Sequence, residues 1–140
     1  MVYLLYHRRP MGYMLYNDKM IGVYSSYEKA ESVIARYAVL PGFRDFATEF
    51  HIVPYHVTPY KKTHRKKRVK AVCVLFTEMV LKDEEEEITE SYDVYSGRWG
   101  AIMGLIGKWL VQSRSVKRKF SITEYFLDED NWREGFADLP

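Results

Sequence analysis

The chain has a single cysteine, Cys73, among its 140 residues. One cysteine cannot form an internal disulfide, and its apolar neighbours favour a buried strand position. The longest apolar stretch, residues 99–111, is too short to cross a bilayer and contains Lys108. The first residues do not show the basic, apolar and small-residue segments of a secretion signal in order. These absences predict a cytoplasmic protein with no membrane span.

The sequence also lacks the usual motifs for metal binding, phosphate binding and nucleophilic catalysis. His51 and His56 lie five residues apart on a predicted strand, which sends them to opposite faces. Glycines at 100, 104 and 107 lie in a predicted helix rather than in a phosphate-binding loop. The carboxylates have no recognisable catalytic partner. We therefore assign no catalytic, metal or cofactor-binding residue, expect no cofactor, and keep an enzyme of unknown class as the third functional alternative.

Two halves of the sequence repeat each other at a spacing of about 70 residues. Val23-Tyr24-Ser25 returns as Val94-Tyr95-Ser96, and Phe50-x-Ile52-x-x-Tyr55 returns as Phe120-x-Ile122-x-x-Tyr125. Similar blocks in the same order predict a tandem duplication. Such a repeat constrains the architecture more than the chemistry.

Each half has the pattern of strand, strand, helix, strand. The first helix has apolar residues at helical spacing and is ended by Leu40-Pro41-Gly42. The second has a broad apolar stripe, formed by Ala101, Ile102, Leu105, Ile106, Trp109 and Leu110. Its three glycines weaken the helix, and we expect either that they allow close packing against the other half or that tertiary contacts rescue a poorly formed helix. The predicted fold is α+β, with six mostly antiparallel strands, two helices and a pseudo-two-fold axis.

The predicted domain organisation has three parts. Residues 1–60 form the first repeat, residues 61–70 a basic linker, and residues 71–140 the second repeat with a C-terminal tail. A unit of about 70 residues is marginal alone, so we expect the two halves to form one compact unit.

Three segments form a recognisable pattern: residues 21–30 (Ile-Gly-Val-Tyr-Ser-Ser-x-Glu-x-Ala), the loop 40–45 (Leu-Pro-Gly-Phe-Arg-Asp) and the tail 127–136 (Leu-Asp-x-Asp-x-Trp-x-Glu-Gly-Phe). This pattern resembles an uncharacterised family of small bacterial proteins, and the resemblance brings no established activity. In the single-length family pattern the tail follows the third strand, whereas here it follows the sixth. The resemblance therefore implies a duplication whose halves have divided these features.

The loop and the tail are candidates for binding another protein, because each places aromatic residues beside charged ones on irregular chain. The candidate contacts are Phe43, Arg44, Asp45, Trp132, Glu134 and Phe136. The alternative is that the aromatic residues close the ends of the core. Our leading hypothesis is a non-enzymatic protein-binding module with a regulatory, inhibitor or immunity-type role, and the sequence leaves open whether the chain forms a homodimer.

The rival hypothesis is a nucleic-acid-binding module. Residues 61–70 contain seven lysines and arginines in ten positions, a density that can neutralise several phosphates. The candidate contacts are Lys61, Lys62, Arg65, Lys66, Lys67 and Arg68, with Arg114, Lys117, Arg118 and Lys119 as a second basic group. A solvated linker explains the same run, and the formal net charge of only +2 favours caution.

Overall fold

The computed structural model describes residues 1–10, 16–59, 69–80, 87–112 and 116–131. Within these residues the chain forms seven strands and two α-helices, with the strands in one four-stranded and one three-stranded antiparallel sheet. The predicted α+β class is confirmed. The chain divides into two compact units, one formed by Met1–Tyr55 with the chain from Leu127 onward, and one formed by His56–Phe126.

The first unit contains strands β1 (Val2–Pro10), β2 (Tyr16–Tyr24) and β3 (Phe50–Tyr55), with helix α1 (Tyr27–Tyr37) between β2 and β3. Ser26 caps α1 by accepting a hydrogen bond from the Lys29 amide. A short 3-10 helix (Arg44–Phe46) precedes β3. The helix packs one face against the sheet in a buried core of Leu5, Ile21, Tyr24, Ala30, Val33, Tyr37 and Phe43.

The hairpin of β1 and β2 extends further than the sequence predicts. Pro10, Asn17 and Asp18 are poor strand residues, yet β1 runs to Pro10 and pairs with β2 from Tyr16. Arg8 lies opposite Asp18 and donates two hydrogen bonds to its carboxylate, at 2.9 and 3.0 Å. The Asp18 side chain is almost fully buried beneath this ion pair. The bidentate contact offsets the low strand propensity of these residues.

The second unit contains strands β4 (Ala71–Val80), β5 (Glu87–Tyr95) and β6 (Arg118–Phe126), with helix α2 (Arg98–Leu110) between β5 and β6. The strand order is β5-β4-β6. The buried residues come mainly from the sheet and include Val72, Cys73, Val74, Leu75, Tyr92, Val94 and Tyr125. Ala101 and Gly100 are the only fully buried residues of α2. Within the described residues, neither helix has the length and apolar character needed to cross a membrane.

The chain after β6 returns to the first unit and adds a short strand there, β7 (Glu129–Asp130), which pairs with β2. The sheet of the first unit therefore has the order β3-β1-β2-β7. The Asp128 and Asn131 amides donate hydrogen bonds to the carbonyls of Val23 and Ile21, each at 2.9 Å. A Cβ atom at Gly22 would lie 2.8 Å from the Glu129 carbonyl oxygen, so this close approach requires glycine. The sequence analysis did not predict this seventh strand.

Two aspartates fix the returning segment to α1 and β2. Asp128 accepts hydrogen bonds from the Ser25 amide at 2.8 Å and from the Lys29 ammonium at 2.6 Å. Asp130 accepts from the Tyr24 hydroxyl and from the Arg36 guanidinium, each at 2.7 Å. Burial, reinforced by the hydrogen bond to Asp130, raises the pKa of Tyr24. The segment is thus held by charge-assisted hydrogen bonds, which are stronger than neutral ones.

The two units share an element order and a strand order. In each, the first strand lies between the third and the second, and a β-bulge interrupts the pairing of the first two strands, between Leu5 and Tyr6 and between Thr77 and Glu78. A tandem duplication predicts this correspondence, and common descent of the halves stays a prediction. Most of the predicted linker, residues 61–70, lies outside the described residues. The predicted division of the chain at this linker therefore also stays a prediction.

The first prediction concerns Asp128. Partial burial raises its pKa, but the hydrogen bonds from Lys29 and Ser25 outweigh this and hold the pKa below the ordinary value of 3.8. The ionised form therefore stabilises the folded state, fully above pH 3.8 and progressively less as the pH falls through the folded pKa. We expect Asp128→Asn to lower the free energy of unfolding by about 1 kcal/mol at pH 6, and the difference to disappear in acid.

Urea unfolding at a series of pH values measures this difference. Asparagine tolerates the left-handed backbone of Asp128, whose φ is 66°, so Asp128→Asn removes the charge without straining the chain. Glu129→Gln is the matched control, because it removes a neighbouring exposed carboxylate. A difference between Asp128→Asn and the parent that stays constant from pH 6 to pH 3 would contradict the assigned role.

The second prediction compares two glycines of α2. A Cβ atom at Gly104 would collide with the Tyr95 hydroxyl, whereas one at Gly107 would meet no atom within 4 Å. We expect Gly107→Ala to stabilise the dilute protein by about 0.5–1 kcal/mol through helix propensity, and Gly104→Ala to destabilise it. Urea unfolding of the two variants checks this opposite sign. Equal effects of the two substitutions would show that Tyr95 does not restrict position 104.

Candidate protein-binding surface

Helix α2 exposes a large apolar surface. Six apolar side chains on the outward side of the helix and at its C-terminal end are exposed by 42% to 82%: Trp99, Met103, Ile106, Trp109, Leu110 and Val111. At these exposures they offer on the order of 600 Å² of apolar area in total, with Trp109 and Val111 on opposite sides of the other four. Exposed apolar area of this size makes α2 a candidate interaction surface.

Four of these side chains form a continuous line, which we name the seam: Trp99, Met103, Ile106 and Leu110. Their spacing of four, three and four residues keeps them within about 60° of one another around the helix axis and spreads them over about 16 Å. This is the a and d spacing of helices that pack side by side in coiled coils. The seam therefore has the geometry of a helix that receives another helix.

The opposite face of α2 holds the helix on its own sheet. Gly100 and Ala101 are buried, and the Lys108 ammonium lies 2.6 Å from a carboxylate oxygen of Asp93 on β5. Lys108 also donates a hydrogen bond to the Ser91 hydroxyl at 3.2 Å. These contacts fix the rotation of α2 about its axis. The seam faces outward as a consequence.

Lys108 also lines a cavity of about 360 Å³ beside the C-terminal half of α2, together with polar and charged residues and with the apolar Val111 and Phe120. The polar and charged residues are Thr77, Glu90, Ser91, Gln112 and Arg118. The charges of the cavity are matched, since Lys108 contacts Asp93 and Arg118 donates two hydrogen bonds to Glu90, at 2.7 and 3.0 Å. The hydrogen bonds from Arg118 lower the pKa of Glu90. The lowered pKa keeps the Glu90 carboxylate ionised, which favours a structural role over proton transfer.

Other candidate chemistry is sparse in the described part of the chain. No group of three or more His, Cys, Asp or Glu residues there could hold a metal ion. Burial raises the pKa of the Cys73 thiol, which disfavours the reactive thiolate. His7 is fully buried, and its Nε2 atom lies 2.9 Å from the Phe46 carbonyl oxygen. Burial lowers the pKa of His7, so the neutral ring is favoured.

The structure separates the residues predicted to bind a protein. Phe43 is fully buried between His7, Tyr37 and Phe50, so its side chain belongs to the core and not to an exposed surface. This burial corrects its expected role as a partner contact. Arg44 and Asp45 are exposed and lie 3.8 Å apart as a local ion pair. Trp132, Glu134 and Phe136 lie outside the described residues.

Most of the residues predicted to contact nucleic acid also lie outside the part of the chain that the structure describes. Lys61, Lys62, Arg65, Lys66, Lys67 and Arg68 lie in residues 60–68, and Arg114 lies in residues 113–115. Of the second basic group, Lys117 and Lys119 are exposed at the start of β6, and Arg118 is paired with Glu90. A basic patch formed by the two groups therefore stays a prediction.

The seam was not predicted as a site. The sequence analysis identified the apolar stripe of α2 without assigning it a function, and Ile106, Trp109 and Leu110 of that stripe are exposed. The signal was available, because α2 is apolar around most of its circumference and a helix on one face of a sheet cannot bury all sides. Glu28, Glu31 and Arg36 give α1 a polar outer face, and α2 has none of this kind.

Comparison with known proteins finds a similarity in the first part of the chain. Residues 1–65 match a family described as a domain of unknown function (DUF7336). That match covers β1 to β3 and does not reach α2. No curated protein and no solved structure matches the chain. The comparisons therefore support an uncharacterised family for the first half, and they assign no activity.

The third prediction is that the seam does not stabilise the fold. Met103→Glu and Leu110→Glu each place a charge on an exposed position, so we expect the free energy of unfolding of the dilute protein to change by at most about 0.5 kcal/mol. Ala101→Glu is the contrasting variant. It buries a charge in the core and should cost several kcal/mol or prevent folding. Urea unfolding measures all three, and a large loss in Met103→Glu would show that the seam is covered within the chain.

Proposed function

We propose that the chain is a non-enzymatic protein-binding module and that the seam on α2 is its contact surface. The observation that supports this most directly is the exposed line of Trp99, Met103, Ile106 and Leu110 on a helix whose other face is already packed on its sheet. Exposed apolar residues scattered singly are normal, whereas four in one line are not. A regulatory, inhibitor or immunity-type role is compatible with such a surface.

The partner has an apolar helical surface. A seam with alternating spacings of four and three accepts the ridges of a second amphipathic helix, with few backbone hydrogen bonds to offer. Large aromatic side chains are frequent anchors of binding energy, which makes Trp99 the main expected anchor of the seam. Full burial of one leucine-sized side chain contributes about 1.5–3 kcal/mol, so several seam residues together can offset the cost of association.

The enzyme alternative gains no support from the cavity that Lys108 lines. Each of its ionised groups already faces an oppositely charged one, Lys108 facing Asp93 and Arg118 facing Glu90. A general acid or base needs a pKa near the working pH, and the pKa of Glu90 is lowered away from it. The nucleic-acid alternative rests on residues 61–70 of the sequence and stays a second prediction.

The fourth prediction tests the proposed function in cells of the source organism. A photoreactive benzoylphenylalanine in place of Met103 lies in the middle of the seam. We expect irradiation to give one dominant cross-linked product of defined mass, because a bound partner keeps the probe within reach of its side chains. Adding Leu110→Glu to the same chain should remove the product, since a charge at the interface must be desolvated.

Val39 provides the matched control position, because it is an exposed apolar residue of the first unit, 70% accessible, and lies outside the seam. The probe at position 39 should not give the product that depends on Leu110. A probe at position 103 that cross-links only within its own chain, or to nothing, would contradict the proposed function.

A further inference from the structure

We infer that the partner received by the seam is a second copy of this chain, and that the two α2 helices pack antiparallel across a two-fold axis. This inference rests on the proposed function and specifies its partner. Three properties of the seam support it: the symmetry of its spacing, its charge, and its area.

The spacing of the seam is the same in both directions. Trp99 and Leu110 are equally far from the midpoint of the helix segment, and so are Met103 and Ile106. An antiparallel copy would therefore place Trp99 opposite Leu110 and Met103 opposite Ile106, with every seam residue facing another seam residue. A two-fold interface requires this reciprocity, since residue i contacts residue j and j contacts i. A parallel pair would place the two Trp99 side chains together and the two Leu110 side chains together.

The charged residues of α2 lie off the seam. No seam residue is charged, so two copies meet without like-charge repulsion. Arg98, at the N-terminal end of α2, lines a cavity on its own unit with Cys73, Ile122 and Glu124. Lys108, the charged residue near the other end, points to Asp93 on its own sheet and stays out of the contact.

The area of the surface matches what a dimer requires. A stable interface of standard size buries about 800 Å² on each partner, with an apolar centre and a polar rim. The exposed apolar surface of α2 supplies on the order of 600 Å² of this from each copy. The remaining area would come from polar side chains around the helix. In a two-fold interface each seam residue is present in both copies, so a single substitution changes the contact at two places.

The fifth prediction is that the purified full-length chain is a dimer that depends on the seam. Sedimentation equilibrium over a wide concentration range should give twice the mass of one chain at high concentration and dissociation on dilution. We expect Met103→Glu to weaken the dimer by on the order of 100-fold or more, because each copy then buries a charge opposite the apolar Ile106 of the other copy. Val39→Glu adds the same charge at an exposed position outside the seam and should leave the dissociation constant unchanged.

Cysteine pairing tests the direction of the two helices. Trp99→Cys alone should not form a disulfide between copies, because antiparallel packing separates the two positions by about 16 Å along the axis. A mixture of Trp99→Cys and Leu110→Cys chains should form one between the two kinds of chain. The antiparallel arrangement would be overturned if Trp99→Cys chains formed disulfides with one another and the mixture gave no additional disulfide between the two kinds of chain.

The outcomes separate this inference from the proposed function. A chain that is monomeric at every concentration, yet cross-links in cells through position 103 to a protein of another mass, overturns the second copy and retains the binding surface. A monomer with no cross-link through position 103 overturns both. A dimer that Met103→Glu leaves intact is formed elsewhere on the chain and also overturns the inference.

Discussion

The structure depends on one geometric constraint: a helix packed on one face of a sheet can bury only part of its circumference. Both units place a single helix on a sheet in this way. In α1 the outward residues are polar, with Glu28, Glu31 and Arg36 exposed, and the constraint is satisfied. In α2 the outward residues are apolar, so the same architecture leaves Trp99 and the rest of the seam in contact with water. The two units thus share a topology and differ in what their helices present.

The return of the chain to the first unit gives this difference a structural context. Asp128 and Asp130 bind α1 and β2 through the side chains of Ser25, Lys29, Tyr24 and Arg36. The first unit therefore uses residues that follow β6 to complete its own sheet. In the second unit the corresponding edge of β5 is met by an isolated bridge, where the Thr58 amide donates a hydrogen bond to the Val94 carbonyl at 2.8 Å. Chain that follows a third strand therefore extends the edge of both sheets, and it does so further in the first unit.

The sequence allowed much of the fold to be predicted, but less of the candidate site. Helical spacing of Ala30, Val33 and Tyr37 indicated α1, and all three are buried. The same kind of spacing indicated α2 correctly but did not show that Leu110 is exposed, because periodicity alone does not show how many elements cover a helix. Phe43 was misjudged in the opposite sense, since its loop composition resembled a contact surface and its ring fills the core beside His7.

By itself, the sequence determined the local elements, the α+β class and the position of each helix, because these follow from residue periodicity, capping and turn residues close together in the chain. Only the tertiary structure decided that Asp130 pairs with Gly22, that Arg8 neutralises Asp18 and that Met103 faces outward. Each of these depends on how strands pair, on which segments pack together, or on which surface meets nothing. Such pairings are set by the packing of the whole fold, and local composition does not encode them.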